Sequence, residues 1–230
     1  MPTPFQPNPY RPIHFILLLR YEVLIGGGPV QSAKKVLRKR IWDNMEKQKV
    51  AIFPLPCKGR IPNFRGAIQA AMNLKKIEEY QQSKIIFSSP DFAQFHVRRL
   101  ALLDGKAVVV ASPRLKSGFL VIKPESVKGK ERNASTIRGC FKYGTKLKSI
   151  PKVDFAVQGC VAVDKAGNRL GKGGGYGDRE IKMIRAKGST VKVAVTCHSS
   201  QVVDSVPIEE EDERVDLIVT ESEVILCRPD

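Results

Sequence analysis

The chain has 230 residues, 42% of them hydrophobic, about one and a half times a typical domain and enough to bury a sizeable single core. Its 39 basic against 23 acidic residues give a formal charge of +16, so an anionic partner is expected: a nucleotide, a polyanionic metabolite or a nucleic acid. A solvated surface adapted to heat or salt would show the same excess, and that reading stays open here.

The first thirty residues differ from the rest. Met1–Arg11 holds four prolines, and the apolar run 13–25 is broken by Arg20 and Glu22. A bilayer span needs roughly 20 apolar residues, and a secretory signal needs a basic start and a small-residue cleavage site. Neither is present, so residues 1–30 are read as a non-conforming segment, foreign to the native protein as far as residue 29, with Val30, from a GTG codon, as the expected start. Ser32 is then expected to cap a helix with Ala33, Val36, Leu37 and Ile41 on one face and Lys34 and Arg38 on its polar side. Asn63 to about Gln82 reads as a second helix, Lys84–Ser88 as a strand, Asp91–Leu103 as a third helix and Lys106–Ala111 as a strand. Residues 123–149 form a basic insert with a helix at Ala134–Lys142. Val153–Val163 is an apolar run of strand type, closed by the turn-former Asp164-Lys-Ala-Gly-Asn168. Asp178 reads as the N-cap of a helix ending at Gly188, and Val191–Thr196, Leu217–Thr220 and Val224–Leu226 as strands. Strands alternating with helices predict one α/β domain with a mixed, mainly parallel sheet flanked by helices.

Arg169-Leu-Gly-Lys-Gly-Gly-Gly-Tyr-Gly-Asp178 is the most informative stretch, with five glycines in seven residues. Glycine has no Cβ and tolerates positive φ, so such a loop lets backbone N–H groups approach a phosphate at a helix N-terminus. It fits neither common fingerprint. Gly167 and Gly171 are separated by three residues where a Walker loop needs four, and Gly173 stands where Ser or Thr should follow Lys172. The dinucleotide pattern fails as well, because Tyr176 or Asp178 falls at its third glycine. On its own the loop is compatible with an anion site or a flexible turn. Elsewhere the signals are weaker. The cysteines at 57, 140, 160, 197 and 227 form no close pair, which excludes a zinc ribbon or a CxxC redox site and fits buried thiols in a reducing cytoplasm. His14, His96 and His198 form no constellation. Only 7% of residues are aromatic and no base-stacking strand motif occurs, so nucleic acid is a disfavoured partner, and no membrane partner is expected.

Several separated stretches resemble one family, the 5-formyltetrahydrofolate cyclo-ligases, or methenyltetrahydrofolate synthetases. They are Lys34-x-x-Leu37-Arg38, the glycine loop from Gly167 to Asp178, Gln201-Val-Val-Asp-Ser-Val-Pro207, Glu211-Asp212 and Val215-Asp216. Ile41-Trp42-Asp43, Phe53-Pro54, Arg60-Ile-Pro-Asn-Phe-Arg-Gly66 and Ser112-Pro-Arg-Leu115 are similar to the subgroup that contains the methenyltetrahydrofolate synthetase domain-containing proteins. The resemblance covers residues 32 to 226. It implies a fold like those of NagB, ribose-5-phosphate isomerase and CoA transferases. It also implies ATP- and magnesium-dependent cyclisation of 5-formyltetrahydrofolate, or a related reduced pterin, to the 5,10-methenyl product, with ADP and phosphate released through a phosphorylated formyl intermediate.

Carried over by residue, the resemblance implies catalytic roles for Arg169, Lys172 and Tyr176. Nucleotide contacts are implied for Lys34, Arg38, Arg169, Gly171, Lys172, Gly173, Gly174, Gly175 and Tyr176. Asp178 and Asp212 are implied as magnesium carboxylates. The chain departs from the family at Gly177, where a second tyrosine is usual, and at Gln158-Gly159, where Pro-Gly is usual. Pro90-Asp91-Phe-Ala-Gln94 stands for the folate-side motif, with Asp91 either replacing its glutamate or capping a helix. The partners implied are small molecules, ATP and a pterin, bound by a monomer or weak dimer. A nucleotide- or RNA-binding protein without catalysis is the second reading, because members of the subgroup join this domain to an RNA-recognition module. The chain ends at Asp230 with no room for one, which favours the enzyme.

Overall fold

A computed structural model describes residues 28–228. Helix α1, Pro29–Lys47, is followed by a small antiparallel pair, β1 (Ala51–Ile52) and β2 (Asn63–Phe64). Helices α2 (Ala67–Leu74) and α3 (Glu78–Gln82) lead into β3 (Ile85–Ser88), and α4 (Phe95–Leu103) leads into β4 (Ala107–Ala111). Strands β5 (Phe119–Ile122) and β6 (Thr145–Leu147) enclose the short helices α5 (Glu131–Ala134) and α6 (Ile137–Tyr143). There follow β7 (Phe155–Gln158), β8 (Ala162–Asp164), β9 (Arg169–Leu170), α7 (Tyr176–Lys187), β10 (Lys192–Thr196), β11 (Val202–Val203), β12 (Leu217–Val219) and β13 (Val224–Leu226).

Eight strands build the main sheet in the order β13-β12-β10-β7-β3-β4-β5-β6. The five from β12 to β4 are parallel, and antiparallel strands lie at both ends. Successive strand residues point to opposite faces, and both faces are covered. Ile86, Val108, Val157, Ala194 and Val219 pack with Leu74, Tyr80, Val97 and Ala101 on one side. Their neighbours Phe87, Val109, Ala156, Val195 and Ile218 pack with Ile181 and Ile184 of α7 on the other. A third cluster seats Leu37, Ile41, Trp42 and Met45 of α1 against Phe64, Ala162 and Leu170, so α1 rests on a separate three-stranded sheet, β11-β8-β9. Among the described residues no helix is long and apolar enough to cross a membrane.

The parallel α/β architecture is the one expected; several boundaries are not. Helix α1 starts at Pro29 with Gly28 as N-cap, and Ser32 is buried inside it; proline suits the first turn because its missing N–H would be unpaired there. Of the non-conforming segment 1–30, residues 1–27 lie outside the described residues, whereas Gly28 caps α1 and Pro29 and Val30 are its first residues. The expected helix 63–82 is three elements, because Asn63 and Phe64 pair with Ile52 and Ala51 and the chain turns between Leu74 and Glu78. The apolar run 153–163 divides into β7 in the large sheet and β8 in the small one. The basic insert contains two helices, with Thr136 accepting from Gly139 N to cap the second, and the sequence pattern does not mark β5 or the edge strand β6. All five cysteines are free thiols, and burial pushes Cys57 up to about 12.

Candidate active site

The glycine loop joins β9 to α7, and two cavities open on either side of it. The first, about 350 Å³, is lined by Lys34 and Arg38 of α1, by Arg169, by Gly171, Gly173 and Gly175, by Asp178 and by Asp212. Arg38 Nε donates to the carbonyl of Gly171 at 2.7 Å, which ties α1 to the loop. Burial lowers the Arg38 pKa from its ordinary value, while Asp212, Glu209 and Asp178 act in the opposite direction. Lys34 is not the exposed polar-face cation expected from the helical pattern. It is 4% exposed, and its ammonium contacts Glu209 Oε2 at 2.9 Å and Asp212 Oδ2 at 2.5 Å. The acidic run 209–213 is accordingly more than a solvated face: Glu211 stays exposed, whereas Asp212 also accepts from Glu209 N and Glu213 pairs with Arg185.

Asp178 is not the N-cap of α7. Gly175 holds that place with φ +65°, a left-handed conformation that glycine adopts without strain, and Asp178 lies in the first turn. Its carboxylate accepts from Arg169 Nη2 at 2.6 Å and from Glu213 N at 3.3 Å. Arg169 is buried, and its Nη1 donates to Gly159 O at 3.3 Å. Its Nε is the single buried side-chain nitrogen or oxygen without a partner among the described residues. A Cβ at Gly177 would meet Arg169 Nη2 at 2.8 Å, so the glycine at the usual tyrosine position makes room for this guanidinium.

The second cavity, about 520 Å³, lies beyond the carboxyl ends of three neighbouring parallel strands, where open α/β sheets bind their ligands. Ser89, Pro90 and Asp91 follow β3, Ser112, Pro113 and Arg114 follow β4, and Gln158 and Gly159 end β7. Lys172, Gly174 and Tyr176 line this cavity and not the first, while Arg169, Gly171, Gly175 and Asp178 line both. The implied nucleotide set is thus divided between two compartments. Asp91 makes no side-chain cap; it lines the second cavity and pairs with Lys172 Nζ at 3.2 Å. Tyr176 has the Arg179 guanidinium over its ring at 4.5 Å. His198 caps a short 3₁₀ turn and bonds Ser200, in neither cavity.

Glu180 escaped the sequence reading. It is 5% exposed, lines the second cavity and accepts from Gln158 Nε2 at 2.9 Å. Burial raises its pKa to about 7. The available signal was its position: Glu180 shares the inward face of α7 with Ile181 and Ile184, where a charged side chain is out of pattern. Among the described residues no group of three or more His, Cys, Asp or Glu is placed to hold a metal. Asp178 and Asp212, both lining the first cavity, are hard oxygen donors that suit magnesium only if phosphate oxygens and water complete its shell.

Comparison with known proteins places this geometry. Residues 30–221 match the 5-formyltetrahydrofolate cyclo-ligase family. The methenyltetrahydrofolate synthase domain-containing protein of Mus musculus is 38% identical over 204 residues, covering 84% of this chain and 55% of the relative. The Homo sapiens protein of that name is 37% identical over 207 residues, covering 85% and 54%. The chain therefore spans about half the length of these relatives. Among solved structures, the 5,10-methenyltetrahydrofolate synthetase of Aquifex aeolicus aligns with TM-score 0.57 at 20% identity, over 86% of this chain and 94% of that one. The Mycoplasma pneumoniae 5,10-methenyltetrahydrofolate synthetase aligns with TM-score 0.51 at 15% identity, over 82% and 98%. These likenesses carry the same fold, and the sequence match extends through α1, both cavities and the acidic segment. The chain belongs to the 5-formyltetrahydrofolate cyclo-ligase family.

Proposed function

We propose that the chain closes the ring of a 5-formyl reduced pterin, 5-formyltetrahydrofolate foremost, to the 5,10-methenyl product at the expense of ATP. The observation that carries this reading is the common wall of the two cavities, formed by Arg169, Gly171, Gly175 and Asp178. Phosphoryl transfer between two bound molecules needs their reacting atoms brought together more than it needs covalent help from the protein. The first cavity, between the glycine loop and the N-terminus of α7, suits the ATP phosphates; the second suits the pterin.

In this scheme the formyl oxygen attacks the γ-phosphorus and ADP leaves. N10 then attacks the activated formyl carbon, loses its proton to water, and the C–O bond breaks to release phosphate. Arg169 offers its unpartnered Nε to the oxygen that gathers charge at the common wall. Lys172 and Tyr176 act from the pterin side, Lys172 after exchanging Asp91 for a phosphoryl oxygen. Lys34 and Arg38 face the nucleotide, Lys34 while bracing Asp212. Asp178 and Asp212 would hold magnesium, which when bound neutralises phosphate charge.

The test is to mix the full chain with ATP, magnesium and 5-formyltetrahydrofolate and follow methenyl absorbance and ADP. Both should rise together in equal amounts. ATP binding by calorimetry without either product would favour the second reading, a nucleotide-binding protein without catalysis. Gly177, in place of the family's second tyrosine, is the observation on that side.

A further inference from the structure

Two segments that mark the subgroup, Arg60–Gly66 and Ser112–Leu115, have no part in the scheme above, yet both supply walls of the second cavity. Resting on the reading of that cavity as the pterin side, we propose that Arg60 and Arg114 form a guanidinium clamp that selects ligands carrying an anionic group remote from the reacting atoms. The cavity's other cations are already matched: Lys172 pairs with Asp91, and Arg169 pairs with Asp178. Among the described residues the side chains of Arg60 and Arg114 make neither an ion pair nor a hydrogen bond to protein, and both are exposed at the cavity. The acids lining it, Asp91, Asp178 and Glu180, are occupied by Lys172, Arg169 and Gln158 respectively. Two unneutralised guanidinium groups therefore face one compartment.

The backbone that carries them is held in place. Arg60 follows Gly59 in a turn closed by Arg60 N to Cys57 O at 3.0 Å, and its own carbonyl accepts from Trp42 Nε1 at 3.0 Å. Arg114 has φ +57° and Leu115 φ +55°, two successive non-glycine residues in the left-handed region. Such residues are strained and persist only where surrounding contacts impose them. Here Leu115 N donates to Ser112 O at 2.8 Å, Ser117 N donates to Ser112 Oγ at 2.8 Å, and Leu115 packs on the core. These contacts hold Arg114 at the cavity. Planar forks suit oxyanions that accept two parallel hydrogen bonds, so the ligand group is a carboxylate or a phosphate. A glutamate tail on the pterin supplies the first and a phosphate ester the second.

The experiment uses the full chain and calorimetry with three ligands: 5-formyltetrahydrofolate, a 5-formyl reduced pterin with a methyl group in place of the tail, and a phosphate ester of that pterin. The wild-type protein should bind at least one anionic ligand ~10–100-fold more tightly than the tailless pterin, the usual worth of charge-assisted pairs. Whichever anion binds more tightly identifies the group. R60A/R114A should erase that preference while keeping the affinities for tailless pterin and for ATP. Equal affinities in wild type, or a double variant that loses tailed and tailless ligands alike, would overturn the clamp. A wild-type chain that binds ATP but none of the three pterins would overturn the pterin reading itself, and the clamp with it.

Discussion

Glu180→Gln should make the protein more stable at pH 8 and much less so at pH 5. Glu180 is 5% exposed, and burial lifts its carboxyl from 4.5 to about 7; Asp91 adds to the rise, whereas the Gln158 hydrogen bond, Arg169 and Lys172 oppose it. The folded pKa lies above the unfolded one, so the protonated carboxyl costs nothing below about pH 4.5. As pH rises from there the unfolded chain releases its proton first, and stability falls until the folded group ionises near pH 7. At 1.36 kcal/mol per pH unit the full loss is about 3 kcal/mol, or roughly 6–12 °C in Tm for a chain of this size. Glutamine keeps an acceptor for Gln158 and carries no charge, so the variant lacks the loss. Urea unfolding of both proteins at pH 5, 6, 7 and 8, without nucleotide or divalent metal, isolates the effect, because every other titrating group cancels in the difference. A variant-minus-wild-type difference that stays constant across this range would refute the burial argument.

Arg38→Ala should weaken ATP binding by about 1.5–3 kcal/mol in calorimetry, the scale of a charge-assisted contact, with only a small change in Tm. Lys34→Ala should weaken binding similarly and also lower unfolding stability by about 1–3 kcal/mol, because Glu209 and Asp212 lose their shared buried cation; an unchanged Tm would contradict that pairing. Asp178→Asn and Asp212→Asn should each abolish magnesium-dependent ATP turnover. Of the two, Asp178→Asn should cost more stability, about 2–4 kcal/mol by urea unfolding, since it strips the buried Arg169 of its counter-ion. Turnover persisting in Asp212→Asn would leave Asp178 as the metal carboxylate. Gly175→Ala should lower stability by about 1–2 kcal/mol, because alanine is strained at φ +65°.

The central strands were legible because burial on both faces writes them as apolar runs such as Ala107–Ala111 and Phe155–Gln158. Edge strand β6, Thr145–Leu147, is largely exposed and reads as loop, and the Ser135-Thr136 break conceals two helices inside one basic stretch. The loop between the two cavities was legible for a local reason: Arg169 to Asp178 is one continuous segment with unusual composition. The remaining walls of the second cavity were not, because they are assembled from short segments after β3, β4 and β7 that lie far apart in the sequence. Glu180 gave only a weak signal, a charge on the face of α7 that carries Ile181 and Ile184. Nor could sequence show that Lys34 is buried, since its carboxylates lie more than 170 residues away.

The common wall has a thermodynamic consequence. A ligand that takes up Arg169 Nε from either side reorganises the Arg169–Asp178 pair that both cavities see. Whatever factor nucleotide occupancy imposes on pterin affinity, pterin must impose on nucleotide affinity, since the coupling free energy belongs to the ternary complex and not to either partner. Dissociation constants measured one ligand at a time therefore describe half-filled states, and the sum of their free energies misses the ternary state by that coupling. On the proposed function, the loop would then be the junction of a two-ligand cycle, in which loss of ADP would reset the affinity for the folate product.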